Sequence, residues 1–486
     1  MKKKILSMLL SMVLTVACFT GCGSNPSSGG ETGGTASTEI PKNPEDMYTV
    51  TMAVIGNDQE DMDLVEAEMN KILAEKVGAQ IDVITLGWGV YQQQLQLMLS
   101  GAEKLDLVPI MYNNVSTYVN SGQVLDMSDL IDQYGVNMKA ALGEDILKIA
   151  NMNGYVYGVP VEKEWYADSC LVMRKDILDK YNLDVSNVKS LADCAPIFET
   201  IHENEPDMKI IVGAKDGLIG NVYFADVLSD RFGVLDNGGA DTTIVNYYET
   251  DNYKNLAATV HDYYEKGYID KDMATSTDAG TTILKAGNAF CFATPYKPGV
   301  AEQESLNTGY ELVAVRINPT PAFCYTNAVA AITWGIGQNC ENPEMTMKVL
   351  DYMYGDPELM NLFNWGIEGV HYVVKDAEND VIGFPDGVDA SNAKYNLNMG
   401  WELPNQYKIH VWEGSSRKIM DAQKEMNATA NKSKALGFMF DSTSVSNEIA
   451  ALNNVVSEYS SSIDCGAAAY SAQLSRQHND TNVLAF

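Results

Sequence analysis

Basic residues are scarce in this chain. Its 486 residues hold 33 Lys and Arg against 65 Asp and Glu, a formal net charge of -32. A field of that sign repels phosphates and acidic lipid headgroups, and no Arg/Lys cluster offsets it, which argues against nucleic acid and against a basic membrane-binding patch. Histidine is scarcer still, with 5 copies. His202 and His261 fall in polar helical stretches, His371 and His410 beside aromatic or aliphatic neighbours, and His478 near the C-terminus. The chain has no GxSxG elbow, HExxH helix, P-loop or HRD-type loop, so no catalytic signature is present and no nucleotide site is built in. It also lacks CxxC and any close Cys/His pair, so neither a structural zinc nor another metal or cofactor is predicted. Cys170, Cys194, Cys291, Cys324, Cys340 and Cys465 are too widely spaced for a small disulfide scaffold. Buried free thiols and one or two disulfides both stay open.

Long apolar runs are missing with one exception. After Lys2, Lys3 and Lys4, residues 5–20 form an apolar stretch too short to span a bilayer comfortably. It ends in Phe19-Thr20-Gly21-Cys22, which resembles the lipobox of bacterial lipoproteins with Phe19 in place of the usual leucine. That resemblance implies cleavage before Cys22, acylation of Cys22, and a protein held at the outer face of the cell membrane. Residues 22–45 are rich in Gly, Ser, Pro and Thr without apolar periodicity, and read as a tether with an r.m.s. reach of roughly 27 Å.

The remainder of the chain is too long for one core, so two lobes are expected. Tyr48 to Ile55, Ile81 to Leu86 and Leu105 to Val108 read as strands, separated by helices over 60–77 and from Tyr91 to Gly101. This β-α-β-α-β order, without a Rossmann glycine fingerprint, predicts an α/β fold with helices covering a mainly parallel sheet in each lobe. Residues 46–159 and a return segment, 317–385, are assigned to lobe 1, and 160–316 to lobe 2. Residues 386–486 are expected to be mostly helical and to pack on lobe 2 and the hinge. Val445, Ile449, Leu452, Val456, Tyr459 and Ile463 recur at spacings of four and three, a long core-facing stripe. A helix over 188–203 is expected to break or kink near Pro196.

Several aromatic residues stand beside glycines at predicted strand ends, where open α/β sheets place their ligand loops. Trp88 lies in Gly87-Trp88-Gly89, Trp334 precedes Gly335, Trp365 opens Trp365-Gly366-Ile367-Glu368-Gly369, and Trp401 follows Gly400. An indole face is a platform for the C–H face of a sugar, and Asn57, Asn113, Glu162 and Glu368 are candidates to satisfy its hydroxyls. Tyr112, Trp165 and Tyr166 complete the candidate set. Each of these aromatics also has a bland reading as core beside a tight turn.

Two long stretches carry a family resemblance. They are Trp88-Gly89-Val90-Tyr91 with Leu95-Gln96-Leu97-Met98-Leu99-Ser100-Gly101, and Asn364-Trp365-Gly366-Ile367-Glu368-Gly369-Val370-His371-Tyr372. Phe384-Pro385-Asp386-Gly387-Val388 and Ser433-Lys434-Ala435-Leu436-Gly437-Phe438-Met439-Phe440-Asp441 extend it. The chain resembles extracellular solute-binding lipoproteins of bacterial ABC sugar importers, more narrowly a LipO-like subgroup with a DUF3502-type C-terminal region. The resemblance implies a type II periplasmic-binding-protein-like fold, a non-catalytic monomer, an oligosaccharide or other small solute in the cleft, Trp88 and the segment from Trp365 to Tyr372 as cleft features, and permease subunits as partners. The residues themselves leave open a peptide- or nutrient-binding lipoprotein and an anchored glycan-degrading enzyme, the latter requiring two suitably separated carboxylates.

Overall fold

The computed structural model describes residues 43–470, apart from 102, 215–217, 229, 230 and 391. The apolar leader, Cys22 and nearly all of the tether lie outside the described residues. The first sheet is organised around Tyr48–Ile55, whose last six residues are buried. It runs between two parallel neighbours, Ala79–Leu86 and Leu107–Met111. Beyond them it turns antiparallel, through Ile332–Ile336 to the edge pair Val159–Pro160. Pro160 is tolerated there because an edge position does not require its missing N–H. The helix Met62–Lys76 joins the first two strands and buries Val65, Met69 and Leu73, four apart, against them.

The second sheet has the order Leu312–Arg316, Ser169–Arg174, Ala289–Pro295, Lys209–Ile211, with its own core around Phe198, Phe290, Tyr253 and Tyr263. A mainly parallel arrangement was expected in both lobes, and here only one pair is parallel. The reason is topological. Ser169–Arg174 leaves the first lobe and Leu312–Arg316 returns to it, so two neighbouring strands must run in opposite directions. The helix expected over 188–203 is likewise two pieces, a 3-10 turn at Leu191–Cys194 and a helix at Ala195–Asn204. Ser190 and Asp193 close a capping box on the first, and Pro196 sits in the first turn of the second, where a missing N–H has no partner to lose.

Between the sheets the chain passes three times, and the passages hydrogen-bond to one another. Tyr166–Ala167 pairs with Phe323–Cys324, which pairs with Asn431–Lys432. Ser169–Arg174 comes directly after the first passage, so its N-terminal end is the hinge end, and Pro295 lies opposite Ser169. Ile332 comes after the second passage, and Met111 lies opposite it. The C-terminal ends of Tyr48–Ile55, Ala79–Leu86 and Leu107–Met111 therefore face the hinge side. So do the ends of Lys209–Ile211 and Ala289–Pro295 from the other lobe.

The region after 385 departs from expectation. Tyr395, Leu397, Met399, Leu403 and Ile409 join the core of the first lobe, because the turn they form closes over the ends of its strands. Helical structure resumes at Arg417–Thr429 and Ser446–Asp464. The apolar stripe of the second helix lies on its less exposed side, but only Ile463 is fully buried, in the core of the second lobe. Cys170, Cys194, Cys291 and Cys324 are buried free thiols. Among the described residues no helix is long and apolar enough to cross a membrane.

Trp334 fills the centre of the first lobe at 0% exposure, with its indole N–H donating to Glu402 O at 2.8 Å. Trp334→Ala should lower stability by about 3–5 kcal/mol in urea unfolding, the range for emptying a buried aromatic site.

Candidate functional site

The residues predicted to meet a ligand divide into two groups in the structure. Five stand together at the hinge-side end of the first sheet. Asn57 comes after Tyr48–Ile55, Trp88 after Ala79–Leu86, and Tyr112 and Asn113 after Leu107–Met111. The Gly56 amide donates to Leu86 O at 2.9 Å, which holds the first two loops side by side. Trp401 joins them from far along the chain. Its ring stacks on Trp88 with centroids 5.7 Å apart and planes 26° off parallel, while Tyr91 meets the edge of Trp88 at 6.1 Å and 77°. Trp88 remains 48% exposed although Trp401 stacks on it. Asn57 and Asn113 are exposed beside it. This is a rigid aromatic shelf with amides at its rim.

Tyr112 extends the shelf toward the second lobe. Burial, and then the Asp226 carboxyl, push its hydroxyl up to about 12. Asp226 belongs to the second lobe. Its Oδ2 accepts the Ser433 hydroxyl at 2.5 Å, and its Oδ1 has no hydrogen-bond partner among the described residues. Tyr325 is perturbed chiefly by burial and then by Tyr223, Asp226 and Tyr112, so these four groups converge between the lobes beside the hinge strands. The second lobe also holds a cavity of about 220 Å³ at the ends of Lys209–Ile211 and Ala289–Pro295. Gly213, Asn221, Met273, Thr281, Phe292 and Thr294 are among its lining. None of Tyr223, Asp226, Tyr325 or these cavity residues was anticipated. The signal that located Trp88, loops after parallel strand ends, applies equally to the residues after Ile211 and Phe292.

The other predicted residues serve elsewhere. Trp334 is core, and Trp365 is 4% exposed with its N–H donating to His410 O at 3.2 Å. Trp365 packs against Trp412 at 4.9 Å, and Tyr372 against His410 at 5.8 Å, behind the small sheet Val373–Asp376, Val381–Gly383, Val411–Trp412. Glu368 is exposed on that same side. Expected as cleft platforms, Trp334 and Trp365 offer no open ring face, because Gly335 and Gly366 serve close backbone packing. A Cβ at Gly335 would meet Tyr157 O and the Ile110 side chain, and one at Gly366 would meet His371. Tyr372 is buried too. Trp165 is buried beside the hinge, with its indole N–H donating to Val161 O at 2.9 Å and its amide to Asn427 Oδ1 at 2.8 Å. Tyr166 is buried in the first hinge strand.

Glu162 is buried at the approach to the hinge, and its Oε1 takes Lys424 Nζ at 2.9 Å from the helix Arg417–Thr429. Burial pushes its carboxyl up and Lys424 pulls it back. Its partner is therefore a lysine of the C-terminal region.

Three comparisons bear on the site. A model of bacterial extracellular solute-binding proteins matches residues 57–359, and a domain of unknown function, DUF3502, matches 434–481. A carbohydrate ABC transporter substrate-binding protein of Streptococcus pneumoniae serotype 4 (strain ATCC BAA-334 / TIGR4) is 28% identical over 424 residues, 87% of this chain and 84% of that protein. The N-glycan transport solute binding protein NgtS of Streptococcus pneumoniae superposes with a TM-score of 0.78 at 25% identity, covering 90% of this chain and 95% of the other. The same protein in complex with Man5GlcNAc superposes with a TM-score of 0.64 at 26% identity, covering 88% and 93%.

Lys424→Met leaves the Glu162 carboxylate buried without its cation. Stability at neutral pH should fall by about 1–2 kcal/mol, less than for a fully buried pair because Lys424 is half exposed. Glu162 would then be raised further above its unfolded value, so the loss should fade as acidification to about pH 4 neutralises it in both states. Urea unfolding at the two pH values measures this.

Proposed function

The matched model spans more than half of the chain, which therefore belongs to the bacterial extracellular solute-binding proteins, and from that premise we propose that it captures an oligosaccharide and delivers it to an ABC importer. It has the two-lobed, type II periplasmic-binding-protein-like fold with mixed sheets, and it is a binding protein, not an enzyme. The observation that carries the choice of ligand is the half-exposed Trp88 indole stacked on Trp401 at the hinge-side end of the first sheet. A pyranose ring has an apolar C–H face that suits an indole and equatorial hydroxyls that suit amides and carboxyls at its rim. Asn57, Asn113 and Tyr112 supply the rim on one lobe, and Tyr223 with Asp226 supply it on the other. The curated carbohydrate-transport relative and the glycan-bound NgtS support the same class.

The mechanism is closure about the hinge strands. An oligosaccharide resting on Trp88 gains further contacts when the cavity wall of the second lobe comes down on it. It binds the closed state more tightly and shifts the population toward it. This chain superposes on NgtS in complex with Man1GlcNAc and with Man5GlcNAc with TM-scores of 0.68 and 0.64. The closed pair of lobes then presents one composite surface to the permease, and ATP is hydrolysed by a separate subunit. The chain works as a monomer held to the outer face of the cell membrane by lipid on Cys22, on a tether that lets the lobes reorient.

Titration calorimetry against a glycan panel, with peptides as the opposing arm, tests the ligand class. Trp88→Ala should weaken the best glycan by about 1–3 kcal/mol, roughly 5- to 150-fold, and Trp88→Phe should recover part of it. Tight peptide binding with no glycan response overturns the reading. Cys22→Ala should move the protein from the membrane fraction into the medium and abolish incorporation of labelled palmitate, which checks the anchor.

A further inference from the structure

Three loops meet beside Trp88, and one side chain ties two of them. The ends of Tyr48–Ile55 and Ala79–Leu86 are tied by the Gly56 amide, with Asn57 leading away from one and Trp88 from the other. The turn bearing Trp401 has no covalent neighbour here and must be held from outside. Glu402, the next residue, accepts the Ile55 amide at 2.8 Å through Oε1. Its own amide closes the turn on Met399 O at 2.8 Å, and its carbonyl accepts the Trp334 indole N–H at 2.8 Å.

We propose that Glu402 is the positioning residue of the tryptophan shelf: its carboxyl fastens the Trp401 turn to the end of Tyr48–Ile55, setting one ring beneath Trp88 and fixing the loop that carries Asn57. This rests on the reading of Trp88 as the ligand platform. Glu402 is 0% exposed, and its Oε2 has no hydrogen-bond partner among the described residues. Burial pushes the carboxyl up to about 8, opposed only by the Ile55 N–H. Among the described residues no cation faces it. On its own segment the titratable neighbour is Tyr395, whose hydroxyl donates to Phe363 O. Tyr48–Ile55 contributes only Tyr48, at its far end and bonded to Asp106. The helix Pro357–Trp365 brings Asn364, uncharged, whose Oδ1 accepts the Met399 amide, and has Glu358 only in its first turn. Ile332–Ile336 has no titratable side chain. Glu402 thus acts as the neutral acid, and ionisation would leave an isolated charge at the joint.

Because the folded value is raised above the unfolded one, the contribution to stability is fullest below about 4.5 and is lost as pH rises toward about 8. A glutamine keeps the acceptor for Ile55 and cannot ionise.

The test compares wild type with Glu402→Gln and Glu402→Leu in ligand-free protein and with glycan. The ligand-free readout is the circular-dichroism couplet of the Trp88–Trp401 pair, assigned by its loss in Trp88→Phe, since Trp365 and Trp412 form a second pair. Wild type should keep the couplet near pH 6 and lose it, with its affinity, as pH rises through about 8. Glu402→Gln should keep both to about pH 9 and melt higher than wild type above neutrality. Glu402→Leu should lose the couplet and bind about tenfold more weakly at every pH. A wild-type couplet unchanged across this range, or its loss in Glu402→Gln at neutral pH, overturns the proposal. A couplet that responds as stated, without any glycan bound, upholds the positioning role and overturns only the ligand reading.

Discussion

The arrangement depends on three chain passages being bonded into one narrow ribbon. Tyr166–Ala167, Phe323–Cys324 and Asn431–Lys432 are each only two residues long, so a few backbone hydrogen bonds hold lobes that each possess a sheet and a core of their own. Stiffness is therefore concentrated in the lobes and compliance in the ribbon. The same ribbon fixes polarity. A strand entering a lobe from it points away, so those antiparallel to it point back, and both lobes turn the C-terminal ends of their parallel strands toward a common space. The shelf on one lobe and the cavity on the other face that space because of topology, before any side chain is considered.

The third passage makes the C-terminal region part of this device. Arg417–Thr429 touches both lobes: Asn427 accepts the Trp165 amide, Gln423 donates to Pro298 O at 2.9 Å, and Lys424 pairs with Glu162. After the ribbon, Ser433 donates to Asp226 and the Lys434 amide to Gly239 O, both on the second lobe. Gly239 has φ +76°, and a Cβ there would collide with Ser433, so close passage requires the glycine. The chain then crosses to the first lobe, where Met439 is buried and Thr443 accepts from Asn120 at 3.2 Å. Ser446–Asp464 carries it back to the second core at Ile463. The described part of the segment matching DUF3502, residues 434–470, is thus threaded between the lobes, and any closing rotation must be accommodated along it.

Much of the first lobe was legible because its signals are local. Tyr48–Ile55 is apolar and β-branched, Met62–Lys76 has its buried residues four apart, and Gly87-Trp88-Gly89 marks a turn at a strand end. What stayed hidden depends on partners distant in sequence. Glycine beside tryptophan reads the same whether the glycine frees a loop, as at Gly87, or admits close packing, as at Gly335 and Gly366. Trp365 was therefore indistinguishable from Trp88, and Trp334 only weakly marked as core, until their neighbours were in place. Glu402 carried no signal, because a glutamate in a turn gives no hint that the turn closes over a strand end. The antiparallel second sheet was equally invisible, since strand direction is set by where the chain re-enters a lobe and not by the residues within it.

Charge and shelf point to the same kind of ligand. With -32 overall, the protein presents a repulsive field to anionic solutes, which must approach against it, while a neutral solute is indifferent to it. The groups gathered at the hinge side of the first sheet are an indole face, primary amides and a phenol, none charged at neutral pH. The carboxyl beneath them, Glu402, is kept neutral by burial, and the one on the facing lobe, Asp226, is also raised by burial. An anionic ligand would find no cation among the described residues of this shelf to offset its desolvation, Arg231 acting on Tyr223 and Tyr325 of the facing side, and a cationic one would meet carboxyls that burial holds above their usual range. A neutral ring with one apolar face and many hydroxyls is penalised by neither, and its binding is limited only by how well the indole pair and the rim are held in place.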